Sequence, residues 1–263
     1  MTNKSPGMLY LMPTPLDFGC EEQVPLDHIL PAHNLRMALE VKHWISENAK
    51  TTRSFIKRVI ELASQLAPGQ PVLSLQERQI QELPRIVHKK GDAQALQSGF
   101  DAKPLLVPAL QGHDMALVSE AGMPAIADPG SSVVAAAQAL GIRVIPMIGP
   151  SSLLLALAAS GLNGQSFAFV GYLPQDAQQR SKRLIELETL ARKTGQTQLW
   201  IETPYRNAAM MQTVTSCLQA STRVLVASGL TMTDARLITR TSQQWKQHIS
   251  DWPKDQPCVF GLG

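Results

Sequence analysis

LVSEAGMPAIADPG, residues 117–130, is the stretch on which the reading of the fold turns. An apolar strand at residues 115–118 runs into Ser119-Glu120-Ala121-Gly122, and proline turns follow at Pro124 and Pro129. Gly122 and Gly130 permit positive φ and close backbone approach. Such a loop, at the carboxyl end of a parallel strand, is where open α/β sheets take their ligands. It is not a phosphate loop, because it has neither a Gly-Lys-Ser/Thr run nor GxGxxG. Glu120 and Asp128 supply acceptors, and backbone amides supply donors. On chemistry alone two readings stand: a loop for a phosphate-free nucleoside ligand, and a structural double turn.

Working outward, the alternation of strand and helix continues on both sides. Residues 131–140 read as a helix opened by Ser131 and stopped by Gly141. A strand at 143–147 leads to Gly149-Pro150-Ser151, which opens a helix ending at Gly161. Strands follow at 167–173, 198–202, 223–227, 237–241 and 258–262, with helices at 176–193, 203–218 and 242–249. Upstream, MLYLM (residues 8–12) is a strand stopped by Pro13-Thr14-Pro15. Residues 41–45 alternate as a strand, and Thr51 or Thr52 caps the helix that follows. Residues 72–75 read as a strand, 76–90 as partly helical, and 101–112 as a helix. The class is α/β with a mostly parallel sheet in each part, plus some antiparallel pairing after Arg223. The composition shift near residues 114–130 divides the chain into domains 1–117 and 118–263.

The 263 residues are 44% hydrophobic and 17% charged, enough for a packed core and unlike a disordered chain. The net charge of +3 and a pI near 8.8 allow an RNA partner without pointing to one. Cys20, Cys217 and Cys258 are far apart and form no CxxC pair, so no metal site is expected. They read as reduced thiols of a cytoplasmic protein. The longest apolar run, residues 153–159, is too short to span a membrane.

ALVSEAGMPAIADPG (116–130), then VIPMIGPSSLLLALAASGLNGQSFAFVGYLP (144–174), then LWIETPYRN (199–207), together resemble the tetrapyrrole methylase superfamily. The branch it looks most like methylates a ribose 2′-hydroxyl of small-subunit ribosomal RNA. The resemblance runs from Met8 to about Thr241 and is most specific between Ala116 and Arg206. It implies two α/β domains with S-adenosylmethionine in the cleft between them, and a homodimer. Carried over by motif, the cofactor contacts fall on Pro15 and Leu16, and on Ala121, Gly122, Met123 and Ile126. They continue on Ser151, Ser152, Ile201, Glu202 and Leu230. For Ile126, Ile201 and Leu230, core packing is the competing reading.

A ribose hydroxyl is a weak nucleophile, so a base near the acceptor is expected. The candidates are Glu47, Glu120 and Asp128; the alternative role is a solvated surface acid for Glu47 and a loop-organising acceptor for Glu120 and Asp128. Arg53 and Arg206 are candidates for holding a substrate phosphate or carboxylate, or for surface pairing.

The departures from the branch lie on the substrate side. Pro15-Leu16-Asp17-Phe18-Gly19 lacks the branch's Gly-Asn, ENAKTTR (47–53) stands where it has EDTR, LSLQERQIQELP (73–84) lacks a His-Asn pair, and GLTM (229–232) lacks an acid and a lysine. The methyl acceptor is therefore open between RNA and a tetrapyrrole or other small molecule. A third possibility is a non-catalytic module that keeps the cofactor fold.

Overall fold

In the computed structural model, which describes residues 5–17, 20, 22–97, 99–248 and 251–263, the chain divides into two compact units. The units are residues 1–151 and 152–263. Phe18 and Gly19 of the first loop, and Ile249 at the end of the expected last helix, lie outside the described residues.

The first unit runs β1 (Leu9–Met12), α1 (Leu26–Ile29), α2 (Ala32–Glu40), β2 (His43–Ser46), α3 (Ala49–Glu61), α4 (Ala63–Leu66) and β3 (Gln79–Glu82). It continues through α5 (Arg85–Gln97), a 3-10 turn (Lys103–Leu106), α6 (Val107–Leu110), β4 (Met115–Val118), α7 (Ser131–Ala139) and β5 (Val144–Pro146). The strands form one sheet in the order β3-β2-β4-β1-β5, every pair parallel. Alternation along the strands feeds two cores. Leu9, Ile45 and Leu117 pack with Leu106 and Val133 on one face. Tyr10, Trp44, Ala116 and Val118 pack with Leu35, Phe55 and Ile56 on the other. Helices cover both faces, which is why these strands are apolar on both sides.

Three local expectations are corrected. Residues 72–75 are not a strand. They form an irregular segment held by Arg78, whose buried guanidinium donates to Leu73 O and to the carbonyls of Ala38, Leu39 and Val41 at the end of α2. The strand is the polar QIQE of β3, at the sheet edge, where backbone pairing with β2 needs no apolar pattern. The cap of α3 is Asn48 rather than either threonine, its Oδ1 accepting from Lys50 N at 2.9 Å and Thr51 N at 3.4 Å.

The second unit contains α8 (Ser152–Ser160), β6 (Phe167–Tyr172), α9 (Ala177–Thr194), β7 (Thr197–Glu202), α10 (Pro204–Cys217), β8 (Arg223–Ser228), β9 (Arg236–Thr241), α11 (Ser242–Gln247) and β10 (Cys258–Leu262). The strand order is β6-β7-β10-β8-β9. Only β6 and β7 pair in parallel. β10 inserts antiparallel between β7 and β8, and β9 pairs antiparallel with β8. A mostly parallel second sheet was expected; the return of the fully buried β10 to the middle makes it mixed.

One face of this sheet carries α9, α10 and α11 over Trp200, Phe260 and Val226. The other carries α8, through Leu153, Ala156 and Leu157. The outer face of α8 (Leu154, Leu155, Ala158, Ala159) is exposed and has no charged side chain. The expected boundary at 117/118 differs from the division at 151/152 because β4 and β5 both hydrogen-bond to β1 in the first sheet.

Candidate functional site

The all-parallel sheet of the first unit presents every strand exit on one edge. At that edge the loop after β1 is stitched to the loop after β4. Thr14 N donates to Gly122 O at 3.0 Å, and Gly122 N donates back to Thr14 O at 3.1 Å. Thr14 Oγ1 adds a bond to Ser119 O at 3.3 Å. Leu16 closes over the bridge. A β-carbon on Gly122, whose φ is +78°, would stand 3.1 Å from Leu16 Cδ2 and 3.3 Å from Pro150 O. The loop therefore keeps bare backbone where three strand exits converge. Ala125 and Ala127 also hold positive φ, 65° and 62°, a strained geometry of the sort that gathers in ligand-binding loops.

The three carboxylates singled out as candidate bases meet here. Glu47, just past β2, accepts from Glu120 N at 3.0 Å. Asp128 lies close enough to Glu47 and Glu120 to feel both charges. Burial first, and then Glu47, push its pKa from the usual 3.8 up to about 7, with the Ser119 hydroxyl offsetting part of the rise. A carboxyl near neutrality can hold or take up a proton at working pH.

Beside the acids opens a cavity of about 360 Å³, lined in part by Thr14, Pro15, Asn48, Ser54, Arg58 and Glu120. Arg58 is tied down by Asp17 at 2.8 Å and by Val24 O at 2.7 Å. Arg53 is exposed on α3, close in sequence to the cavity-lining Thr51 and Ser54. Ala121 and Met123 are half-buried, while Ile126 and, after β5, Ile148 expose apolar side chains (45% and 77%). Ser151 ends the unit and is buried.

In the second unit, Glu202 at the end of β7 and Ser228 at the end of β8 both pair with Cys258 of β10, so those two exits share one edge. Glu202 is buried. It accepts from Thr203 N at 2.9 Å and pairs with Arg206 at 2.9 Å. Arg206 also donates to Leu173 O at 2.8 Å, so its guanidinium braces the exits of β6 and β7. Ile201 and Leu230 are half-buried against the α8-side core. Ser152 is the first residue of α8. Thr231 has φ +75°, and its buried Oγ1 has no hydrogen-bond partner among the described residues.

Sequence reasoning missed Asp92. Its carboxylate accepts from Gly130 N and Ser132 N, each at 2.9 Å, and from the Ser132 hydroxyl, so a residue of α5 caps α7 and ends the loop. The signal was Gly91, a glycine inside a helical pattern, where the chain takes φ 74° and re-aims Asp92. Among the described residues no group of His, Cys, Asp and Glu is arranged to hold a metal ion, and no helix is long and apolar enough to cross a membrane.

A parallel sheet with braced loops and clustered acids on its carboxyl edge, followed by a mixed five-stranded unit, defines a two-unit α/β protein whose candidate site residues lie at strand exits. More particularly, the chain belongs to the tetrapyrrole (corrin/porphyrin) methylases, whose family model matches residues 56–245. It is 36% identical over 162 residues to the Ribosomal RNA small subunit methyltransferase I of Mesorhizobium japonicum, covering 60% of this chain and 54% of that one. It is 43% identical over 104 residues to the protein of that name from Halalkalibacterium halodurans, covering 40% and 35%. The chain thus spans about half the length, or less, of the curated relatives it matches.

Among solved structures it shares its fold with uroporphyrin-III-C-methyltransferase from Thermus thermophilus. The TM-score is 0.51 and the identity 14%, over 98% of this chain and 92% of that one. It also shares it with the cobalt precorrin-4 methyltransferase CbiF, with a TM-score of 0.53 and 12% identity over 97% and 94%.

Proposed function

We propose that the chain is an S-adenosylmethionine-dependent methyltransferase that modifies a ribose 2′-hydroxyl of small-subunit ribosomal RNA in the cytoplasm. The observation that carries the reading is the 36–43% identity to proteins named for small-subunit ribosomal RNA methylation. The residues fit the cofactor. Gly122 keeps backbone bare in a tight cradle, and the Thr231 hydroxyl is buried with its bonding capacity unused. Pro15, Leu16, Ala121, Gly122, Met123, Ile126 and Ser151 of the first unit would hold it, with Ser152, Ile201, Glu202 and Leu230 of the second.

When bound, S-adenosylmethionine supplies an electrophilic sulfonium methyl group. The chain's own work is to orient the acceptor, exclude water and receive the hydroxyl proton. Asp128 is assigned as the base, taking that proton on a carboxylate oxygen. Glu47 positions the loop through its bond to Glu120 N and, with a smaller part from Glu120, supplies the charge that favours the protonated product at Asp128. Arg53 is assigned to a substrate phosphate and Arg206 to the brace on Glu202.

The chain is further proposed to pair as a homodimer through the uncharged outer face of α8.

Methylation of a tetrapyrrole or other small molecule is the second reading, favoured by the net charge of only +3 and the acids around the cavity. Purified protein, methyl-labelled cofactor and unmodified small ribosomal subunits decide the matter. Label in a 2′-O-methyl ribose supports the RNA reading. Label entering only a tetrapyrrole supports the second, and label entering neither leaves a cofactor-binding module.

A further inference from the structure

We propose that the exposed face of α3 is a track for the phosphate backbone of single-stranded RNA, leading to the cavity beside Glu120. The inference rests on the RNA reading above and says where that partner lies. Lys50, Arg53 and Lys57 are all exposed, and their spacing of three and four residues puts them in one row. None has an ion-pair partner among the described residues. The only acid in α3 is its last residue, Glu61.

An ordinary solvated helix mixes signs, and α9 shows the contrast. There the exposed Lys182, Arg183, Arg192 and Lys193 share the solvated face with exposed Glu186, and Arg183 pairs with Glu186 at 3.2 Å. The α3 row is unbalanced, and it starts at the cavity, which Lys50, Thr51, Ser54 and Arg58 line together with Glu120.

The arrangement has two zones. The rim is cationic and suits phosphates, while the interior is acidic and suits a hydroxyl that must lose a proton. An anionic small molecule would need only one of those cations. From Lys50 to Lys57 the row runs seven residue steps, about 10 Å at ~1.5 Å per residue. That is about three nucleotides of a stacked strand at ~3.4 Å each. Three contacts in line match a polymer.

The test is the binding of a labelled single-stranded RNA of mixed sequence, followed by anisotropy across a range of salt. The proteins compared are the wild type, the triple variant Lys50→Gln/Arg53→Gln/Lys57→Gln, and the control Lys182→Gln/Lys193→Gln on α9. At ~0.7 per phosphate contact, the triple variant flattens the slope of log affinity against log salt by about 2 and weakens binding roughly 100-fold at about 0.1 M salt. Cofactor affinity by calorimetry stays within twofold in both variants, which shows that the triple variant is folded, and the control binds RNA as the wild type does. A triple variant with wild-type slope and affinity overturns the track while leaving the RNA reading intact. A wild-type protein that neither binds nor methylates RNA overturns both.

Discussion

At the scale of single residues, Asp128 sets the pH behaviour. Its pKa in the fold, about 7, lies above the ordinary 3.8 expected of it in the unfolded chain. The folded state holds the extra proton between those values, so stability falls as pH rises from about 4 to about 7. Asp128→Asn removes that loss and is expected to raise stability at about pH 8 by about 1–2 kcal/mol, less than the full shift implies because the group is partly screened by solvent. Urea unfolding at about pH 3 and pH 8 reads the difference, which vanishes at the lower pH.

As the base, Asp128 predicts a methylation rate that climbs through pH 7. The asparagine variant loses that limb and about 100-fold or more in rate. A pH profile unchanged by the substitution excludes Asp128 as the base.

Gly122→Val places branched carbon against Leu16 and Pro150 O at a positive φ. It is expected to cost about 1–2 kcal/mol of stability and to abolish cofactor binding. Wild-type affinity in calorimetry would remove this loop from the cofactor site. Gly122, Glu120 and Asp128 stood out in the sequence as a glycine and two acids in a strand-exit loop, with loop organisation as the competing reading. Their mutual approach was not legible, since Glu47 reaches Glu120 only through the pairing of β2 with β4.

At the scale of elements, α7 depends on a cap it does not carry. Gly130 precedes it without a side chain to accept its amides, and Asp92 supplies the carboxylate from α5. Asp92→Ala strands the amides of Gly130 and Ser132 and is expected to cost about 2–3 kcal/mol. Hydrogen exchange should show faster amides at the start of α7 than in β1. Equal protection there would show that the cap is dispensable.

The helices and central strands were readable from apolar spacing, as β4 and α7 show. β3 was not, because an edge strand needs only its backbone partner and its side chains are mostly exposed. The apolar VLSL at 72–75 drew the strand assignment instead, and what holds that segment irregular is a buried arginine four carbonyls deep. Asn48 outdid the threonines as a cap because its carboxamide reaches two amides of the first turn.

At the scale of the molecule, α8 is apolar on both faces, and a helix of that kind is normally covered. Leu154 is 52% exposed in the single chain. Under the proposed pairing, wild-type protein sediments as a dimer and Leu154→Glu as a folded monomer in sedimentation velocity, whereas a wild-type protein that sediments as a monomer removes the proposed pairing. The α/β class and the family were readable from ordered motifs. The mixed second sheet was not, because nothing local in CVFGL says that β10 slots between β7 and β8.

The order of the first sheet has a consequence for the newborn chain. β1 is made first, yet both of its neighbours, β4 and β5, lie more than a hundred residues later. At roughly 5–20 residues per second of synthesis, LYLM waits on the order of ten seconds for a partner. During that interval a four-residue apolar strand has two open edges, so growing chains of this protein are expected to lean on holding chaperones until Val144 has emerged.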